Sequence, residues 1–334
     1  MSDYFFMVLI LTQKDLHEIL SMREAIDALE TGFIELAEGK VQMPNRQIMN
    51  NVSRDGWIGV MSAYVKNSVI STKIVTVYPD NHKLNLPTTM ATIILNDSET
   101  GMPLAVMDAA YLTSVRTGAL GGLAVRHLAR KDARTVGIFG SGVQARAQLE
   151  AISEVMNIDL VYIFDLLPEA SKKFAEEMSK KLSIKVVSVE KTDLAVINSD
   201  VIVTASTSRI PVFDGSVVKP GTHINAIGSH TSDRREIDTE TVMKSKFVVD
   251  LKDIAIKEYG ELIIPVSEGA ITSDHIYGDL GEILTGRKKG RVSSKEITLF
   301  KSGGLAIQDA VTANLAYQKA LEHGLGIHIE LAQT

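Results

Sequence analysis

No cysteine occurs among the 334 residues. That excludes disulfides and thiolate chemistry and argues against a structural zinc site, so no metal is expected. Nor does any stretch approach the roughly 18 consecutive apolar residues of a membrane span, so no membrane partner is expected. Long blocks of like charge are missing too. Lys and Arg number 35 against 41 Asp and Glu, a formal net charge of -6, which argues against a nucleic-acid partner on electrostatic grounds. The apolar opening run, Met1 to Leu11, lacks a basic n-region and a small-residue cleavage site. It reads as a strand, in a protein expected to be cytoplasmic.

What is present points to a globular chain. Hydrophobic residues make up 45% of the sequence, enough to fill cores, and the length suits two domains. The most informative segment is Thr135-Val-Gly-Ile-Phe139 followed by Gly140, Ser141, Gly142, Val143, Gln144 and Ala145. A short apolar strand runs into a glycine turn and then a helix. Gly140 permits the tight turn, Gly142 keeps a side chain away from a pyrophosphate, and Ala145 lets helix and strand pack closely. The phosphates would then sit on the N–H groups that open the helix. A second strand, Leu160 to Phe164, ends in Asp165, twenty residues past Ala145. A carboxylate there either accepts from a ribose 2'-hydroxyl, favouring NAD(H) over NADP(H), or caps the turn before Pro168.

Ahead of this segment the chain reads as a mixed α+β unit. Ser21 and Glu24 form a capping-box pattern that opens an amphipathic helix, with Ala25, Leu29, Phe33 and Leu36 on one stripe and an end near Gly39. Strands are predicted at 56–61, 71–78, 89–95 and 103–107, the last two paired as a hairpin across the turn cluster 96–101. From Thr113 to Leu128 a helix rich in small residues signals close approach by a backbone or a cofactor. Beyond the glycine turn, strands at 185–189, 200–205, 223–227 and 247–250 alternate with helices, the pattern of a parallel doubly wound sheet. Two of these strands end in turns, Thr204-Ala205-Ser206 and Ala226-Ile227-Gly228, that would face a ligand beyond the carboxyl ends. A last strand breaks at Ser302 and Gly303 into a helix that returns to the first unit.

Five residues carry candidate chemistry. Alternation places Lys73 with Val75 and Val77 on one strand face, where an ammonium either binds a carboxylate or moves a proton, unless it lies at an exposed end and snorkels. Arg46 sits in a loop before a strand. Arg116 lies on a helix among small neighbours, where it could bind a pyrophosphate bidentately or form an ordinary salt bridge. His230 and Asp233 follow a strand end, where a titratable group could meet the nicotinamide side of a site.

Taken in order, Met43-Pro-Asn-Arg46, Gly56-Trp-Ile-Gly-Val-Met61, Thr72-Lys73-Ile-Val-Thr-Val-Tyr78, Leu86-Pro-Thr88, Thr113-Ser-Val-Arg116-Thr-Gly118, Gly140 to Ala145, Gly221 to Gly228 and Phe300-Lys-Ser302-Gly303 are similar to the ornithine cyclodeaminase and mu-crystallin family over nearly the whole chain. The resemblance implies a homodimer. It also implies a substrate-binding and dimerisation domain of residues 1–115 with 307–334, and a Rossmann domain of residues 116–306. Arg46 and Lys73 would hold a substrate carboxylate, with Gly303 beside the substrate and His230 among the catalytic candidates. Thr88, Arg116, Gln144, Asp165, Thr204, Ser302 and the strand-end turns would line the dinucleotide. Cyclodeaminases of the family carry an aspartate where this chain has His230, which disfavours ornithine chemistry on charge grounds. The arginine of the family's archaeal alanine dehydrogenases aligns with Gly59, and the 56–61 segment is nearer the ketimine reductases. The expected activity is NAD(P)H-dependent reduction of a small imino acid such as Δ1-pyrroline-2-carboxylate. Alanine dehydrogenation, ornithine cyclodeamination and non-catalytic ligand binding are the alternatives.

Overall fold

A computed structural model describes residues 6–332, and the chain divides into two compact units. One comprises the residues up to Arg116 with those from Leu305 onward, the other Thr117–Gly304. Residues 1–5 of the opening run lie outside the described residues; the rest of it forms the strand Phe6–Leu11.

The first unit is built on an eight-stranded mixed sheet. Gly56–Val65, Val69–Val77, Thr89–Asp97 and Pro103–Asp108 are successive antiparallel neighbours, and Pro103–Asp108 pairs in parallel with Phe6–Leu11. The expected hairpin is present, its turn held by Asp97 Oδ1, which accepts from Thr100 N–H at 2.7 Å and Thr100 Oγ–H at 2.6 Å. Along Val69–Val77 the side chains of Val69, Ser71 and Lys73 are buried while Ile74 is exposed. The strand therefore has an inner face and an outer face. Helices Met22–Ala37 and Ala306–His323 pack together, and the latter covers the strands around Lys73. Ser21 Oγ accepts the Glu24 N–H at 3.3 Å and donates to the Glu24 carboxylate at 2.6 Å, starting the first of these helices where its pattern places it.

All eight strands of the second unit are parallel. Their order is Val186–Ser188, Leu160–Phe164, Thr135–Phe139, Val201–Thr204, His223–Ala226, Ile297–Lys301, Ser245–Val249 and Ile276–Asp279. The chain winds outward from Thr135–Phe139 in one direction and then resumes on its other side with Val201–Thr204. The carboxyl ends of these two strands thus form a topological switch point, where open α/β sheets take ligands. One layer of the core gathers Val136, Ile138, Leu149, Ile152, Val161, Ile163 and Phe174. Another gathers Phe139, Ile202, Ile224, Phe247 and Leu299.

The helix expected from Thr113 begins at Ala110. In the second unit its small residues meet another backbone. A Cβ on Gly118 would lie 2.5 Å from the carbonyl oxygen of Ala147, so the helix Val143–Val155 packs at a distance that only glycine allows. The strand expected at 56–61 continues to Val65, because its inward residues Met61, Ala63 and Val65 stay buried past the polar Ser62. The strand Ile327–Ala332, which pairs antiparallel with Phe6–Leu11, lies beyond the elements read from sequence.

Candidate active site

At the switch point the glycine turn has the required geometry. Gly140 has φ +94°, and a Cβ there would lie 2.6 Å from Ala205 O. A side chain would thus be both strained and obstructed. Gly142 caps the helix Val143–Val155, and a Cβ there would meet nothing within 4 Å, so the first helical turn opens onto clear space. That is the cradle a pyrophosphate needs. Ala145 is fully buried beneath it, Val143 is exposed, and Gln144 Oε1 is buried with no hydrogen-bond partner among the described residues. A cleft of about 520 Å³ is lined by Gly140, Ser141, Gly142, Asp165, Ala205 and Ser206, among others. Asp165 braces its own turn, as one of its two readings expects, and the glycine turn as well. Oδ1 accepts from Leu167 N–H at 2.9 Å, bracing the turn into the helix Pro168–Leu182, while Oδ2 faces the glycine turn and accepts from Ser141 N–H at 2.8 Å and Oγ–H at 2.7 Å.

Neighbouring strand ends are braced from behind by residues that the sequence did not single out. Glu236 is buried. Its Oε1 accepts from Ser206 N–H at 2.7 Å and Ser206 Oγ–H at 2.6 Å, and its Oε2 accepts from Gly228 N–H at 2.7 Å. One carboxylate so ties the turns after Thr204 and Ala226, and burial pushes its pKa up. Thr204, Ala226 and Ile227 are buried at these ends, whereas His230 lies exposed in the bend beyond. Glu236 N–H donates to Glu261 at 3.0 Å, and Glu261 pairs with the buried Lys301 at 3.3 Å. Ser302 and Gly303 are held by the buried Asp250, which accepts from Ser302 Oγ–H at 2.8 Å, from Gly303 N–H at 3.3 Å and from the Tyr259 hydroxyl at 2.6 Å. Burial raises the pKa of both Asp250 and Tyr259.

In the first unit Lys73 is 2% exposed, so it does not snorkel. Its Nζ lies 2.6 Å from Asp309 Oδ2, and Arg116 Nε lies 3.0 Å from Asp309 Oδ1, while Arg116 Nη1 donates to Gln308 Oε1 at 2.5 Å. Arg116, expected at a pyrophosphate, thus shares a buried carboxylate with Lys73. Arg46, just before the strand Gln47–Asn51, also acts on Lys73 electrostatically. Burial first, then the guanidiniums of Arg116 and Arg46, depress the Lys73 pKa to about 8, against the opposing pull of Asp309. Thr88 is exposed, and its carbonyl accepts the Tyr78 N–H at 2.8 Å.

The arrangement is that of an NAD-dependent oxidoreductase acting on CH–NH or CH–NH2 groups, and comparison with known proteins agrees. The chain belongs to the ornithine cyclodeaminase/mu-crystallin family, whose signature matches residues 7–324. It is similar to the Thermococcus litoralis Δ1-pyrroline-2-carboxylate reductase, solved with NADH and L-proline, with 48% identity and a TM-score of 0.93 over 96% of this chain and 100% of that one. An archaeal alanine dehydrogenase dimer with bound NAD superposes with a TM-score of 0.92 at 40% identity, over 98% of this chain and 100% of that one. The alanine dehydrogenase of Archaeoglobus fulgidus is 42% identical over 96% of this chain and 98% of its own length. Among the described residues no helix is long and apolar enough to cross a membrane.

Proposed function

We propose that this protein reduces the C=N bond of a small cyclic imino acid, Δ1-pyrroline-2-carboxylate, to L-proline with NADH. The observation that carries the reading is the buried cluster in which Lys73 and Arg116 share the single carboxylate of Asp309. Two buried cations against one anion leave a cationic surplus that a substrate carboxylate would neutralise. NADH, held along the glycine turn, supplies the hydride. The chain's own residues bind and orient: Arg46 and Lys73 clamp the carboxylate, so that the imine carbon beside it is presented in one orientation. With its pKa depressed to about 8, Lys73 remains an ammonium at neutral pH and has a proton to give to the nitrogen. The likeness to the Thermococcus litoralis reductase supports this substrate.

Reductive amination of pyruvate with ammonia is the second reading, favoured by the 42% identity to the Archaeoglobus fulgidus alanine dehydrogenase. Both reactions deliver hydride to an imine carbon beside a carboxylate. Ornithine cyclodeamination lacks its partner for the substrate ammonium, since His230 stands two residues past Gly228.

One experiment separates the readings. Purified protein is given NADH with pyrroline-2-carboxylate, NADH with pyruvate and ammonia, or NAD with ornithine; loss of reduced cofactor is followed by absorbance in the first two arms, and release of ammonia and proline in the third, which consumes no net cofactor. The highest kcat/KM is expected with the cyclic imine. A higher value with pyruvate and ammonia transfers the assignment to alanine dehydrogenation, and no turnover in any arm refutes an enzyme of this kind. Lys73→Ala is expected to lower kcat/KM by about 10²–10⁴-fold while NADH still binds.

A further inference from the structure

Asp309 sits in the first turn of the helix Ala306–His323, more than two hundred residues from Lys73 in sequence, and is fully buried against it. Its two oxygens are divided, one to each cation: Oδ2 to the Lys73 ammonium at 2.6 Å and Oδ1 to the Arg116 guanidinium at 3.0 Å. The adjacent Gln308 takes a second nitrogen of the same guanidinium at 2.5 Å. We propose that Asp309 is a positioning residue for the reduction, which fixes Lys73 and Arg116 side by side and supplies the negative charge that allows two cations to share a dry site.

The charged groups facing Lys73 come from three elements. Asp309 lies on the helix Ala306–His323, Arg116 on the helix Ala110–Leu128, and Arg46 ahead of the strand Gln47–Asn51. Of these only Asp309 favours the ammonium; burial and both guanidiniums oppose it. With that balance near pH 8, the protonated amine has little margin at neutral pH. Removing the carboxylate charge would lower the protonated fraction of Lys73 there, beside two guanidiniums. Fewer molecules would then have a proton to give to the imine nitrogen, and the amine would hold the substrate carboxylate more weakly. The helix thus acts on the reduction through Lys73.

This inference rests on the proposed reduction, and its test has one arm that does not. The Nζ signal of Lys73 is titrated by NMR in full-length, ¹⁵N-lysine-labelled protein, assigned by its loss in Lys73→Arg. In Asp309→Asn it should titrate about one pH unit or more lower than in the parent, and Asp309→Glu should restore it. In parallel, Asp309→Asn should lower kcat, shift the alkaline limb of the pH profile downward by the same amount, and leave the NADH Kd unchanged. An unmoved Lys73 titration in Asp309→Asn overturns the proposal. If the parent turns over none of the three substrates, the functional reading fails, and the titration still decides whether Asp309 holds Lys73 charged. Should Asp309→Asn not fold, Arg116→Gln serves instead. With a repelling cation gone and the carboxylate undivided, Lys73 should titrate higher, and a fixed or lower value overturns the idea.

Discussion

Asp165 holds Ser141 by two hydrogen bonds to a single oxygen, from the backbone N–H at 2.8 Å and from the hydroxyl at 2.7 Å. The carboxylate at the end of one strand therefore fixes the glycine turn at the end of its neighbour, and it lines the cleft at the switch point, where we propose that it meets the ribose of a dinucleotide. A 2'-phosphate there would meet its negative charge. Asp165→Ser removes the charge and keeps a short hydroxyl, so the preference for NADH over NADPH should fall by about 10-fold or more. The ratio of kcat/KM for the two cofactors is the measurement, and an unchanged ratio would refute the ribose contact.

Glu236 makes a similar link on the other side of the switch point, between Ser206 and Gly228. All three groups that it meets there are donors, two N–H groups and a hydroxyl. Glu236→Gln turns one acceptor into an NH2, which must face a donor in a buried place. The variant should lose about 1–3 kcal/mol of stability and bind NADH roughly 10-fold more weakly as the two turns loosen. Urea unfolding and a fluorescence titration with NADH report the two effects. A full loss of stability with unaltered NADH binding would show that Glu236 braces the fold and not the turns.

Much of the parallel unit is legible from sequence because each of its strands is a short apolar run that ends in a turn residue, and parallel strands buried on both faces have that signature. Lys73 is legible for the opposite reason, as a charge that interrupts an apolar face. Its partner is not. Asp309 lies at the start of a helix, where an acidic residue is the ordinary choice for the helix dipole, and nothing local shows that it meets Lys73. Glu236 sits in an aperiodic bend and Glu261 in a short helix, so their burial comes from long-range packing alone. Ile327–Ala332 did carry a signal: Ile327, Ile329 and Leu331 alternate with polar residues, the period of a strand.

His223 gives the fold a predictable dependence on pH. It is fully buried in the strand His223–Ala226, with Nε2 on Asn225 Oδ1 and Nδ1 on Thr298 Oγ1, both at 2.9 Å. Burial and the nearby Arg291 depress its pKa from 6.5 to about 3. Because the folded value lies below the unfolded one, the neutral ring's contribution is present above pH 6.5 and is lost as the pH falls toward 3. Over that range it should cost up to about 1.4 kcal/mol per pH unit. Urea unfolding at pH 7, 6, 5 and 4 should show the decline, and His223→Gln should flatten it even though the variant is less stable at pH 7. An equally steep decline in the variant would assign it to other groups.

The outer face of the first unit's sheet bears on assembly. Residues alternate across three strands so that Ile58, Thr76 and Met90 form one row, Val60, Ile74 and Thr92 the next, and Ser62, Thr72 and Ile94 a third, all on the side away from Lys73. Ile74 and Met90 are each 40% exposed and Ile94 36%. Five of these nine residues are apolar and the other four are serine or threonine, with no charge among them, and the archaeal alanine dehydrogenase that this chain resembles is a dimer. We propose that two copies of this chain join through that face. Light scattering at micromolar concentration should then give twice the 36.4 kDa chain mass. Ile74→Asp with Met90→Asp places carboxylates on adjacent rows of the outer face without entering the core, and should yield a folded species of one chain mass. A parent protein already at 36.4 kDa, or a double variant that keeps the parent's mass, would remove this face from consideration as the dimer contact.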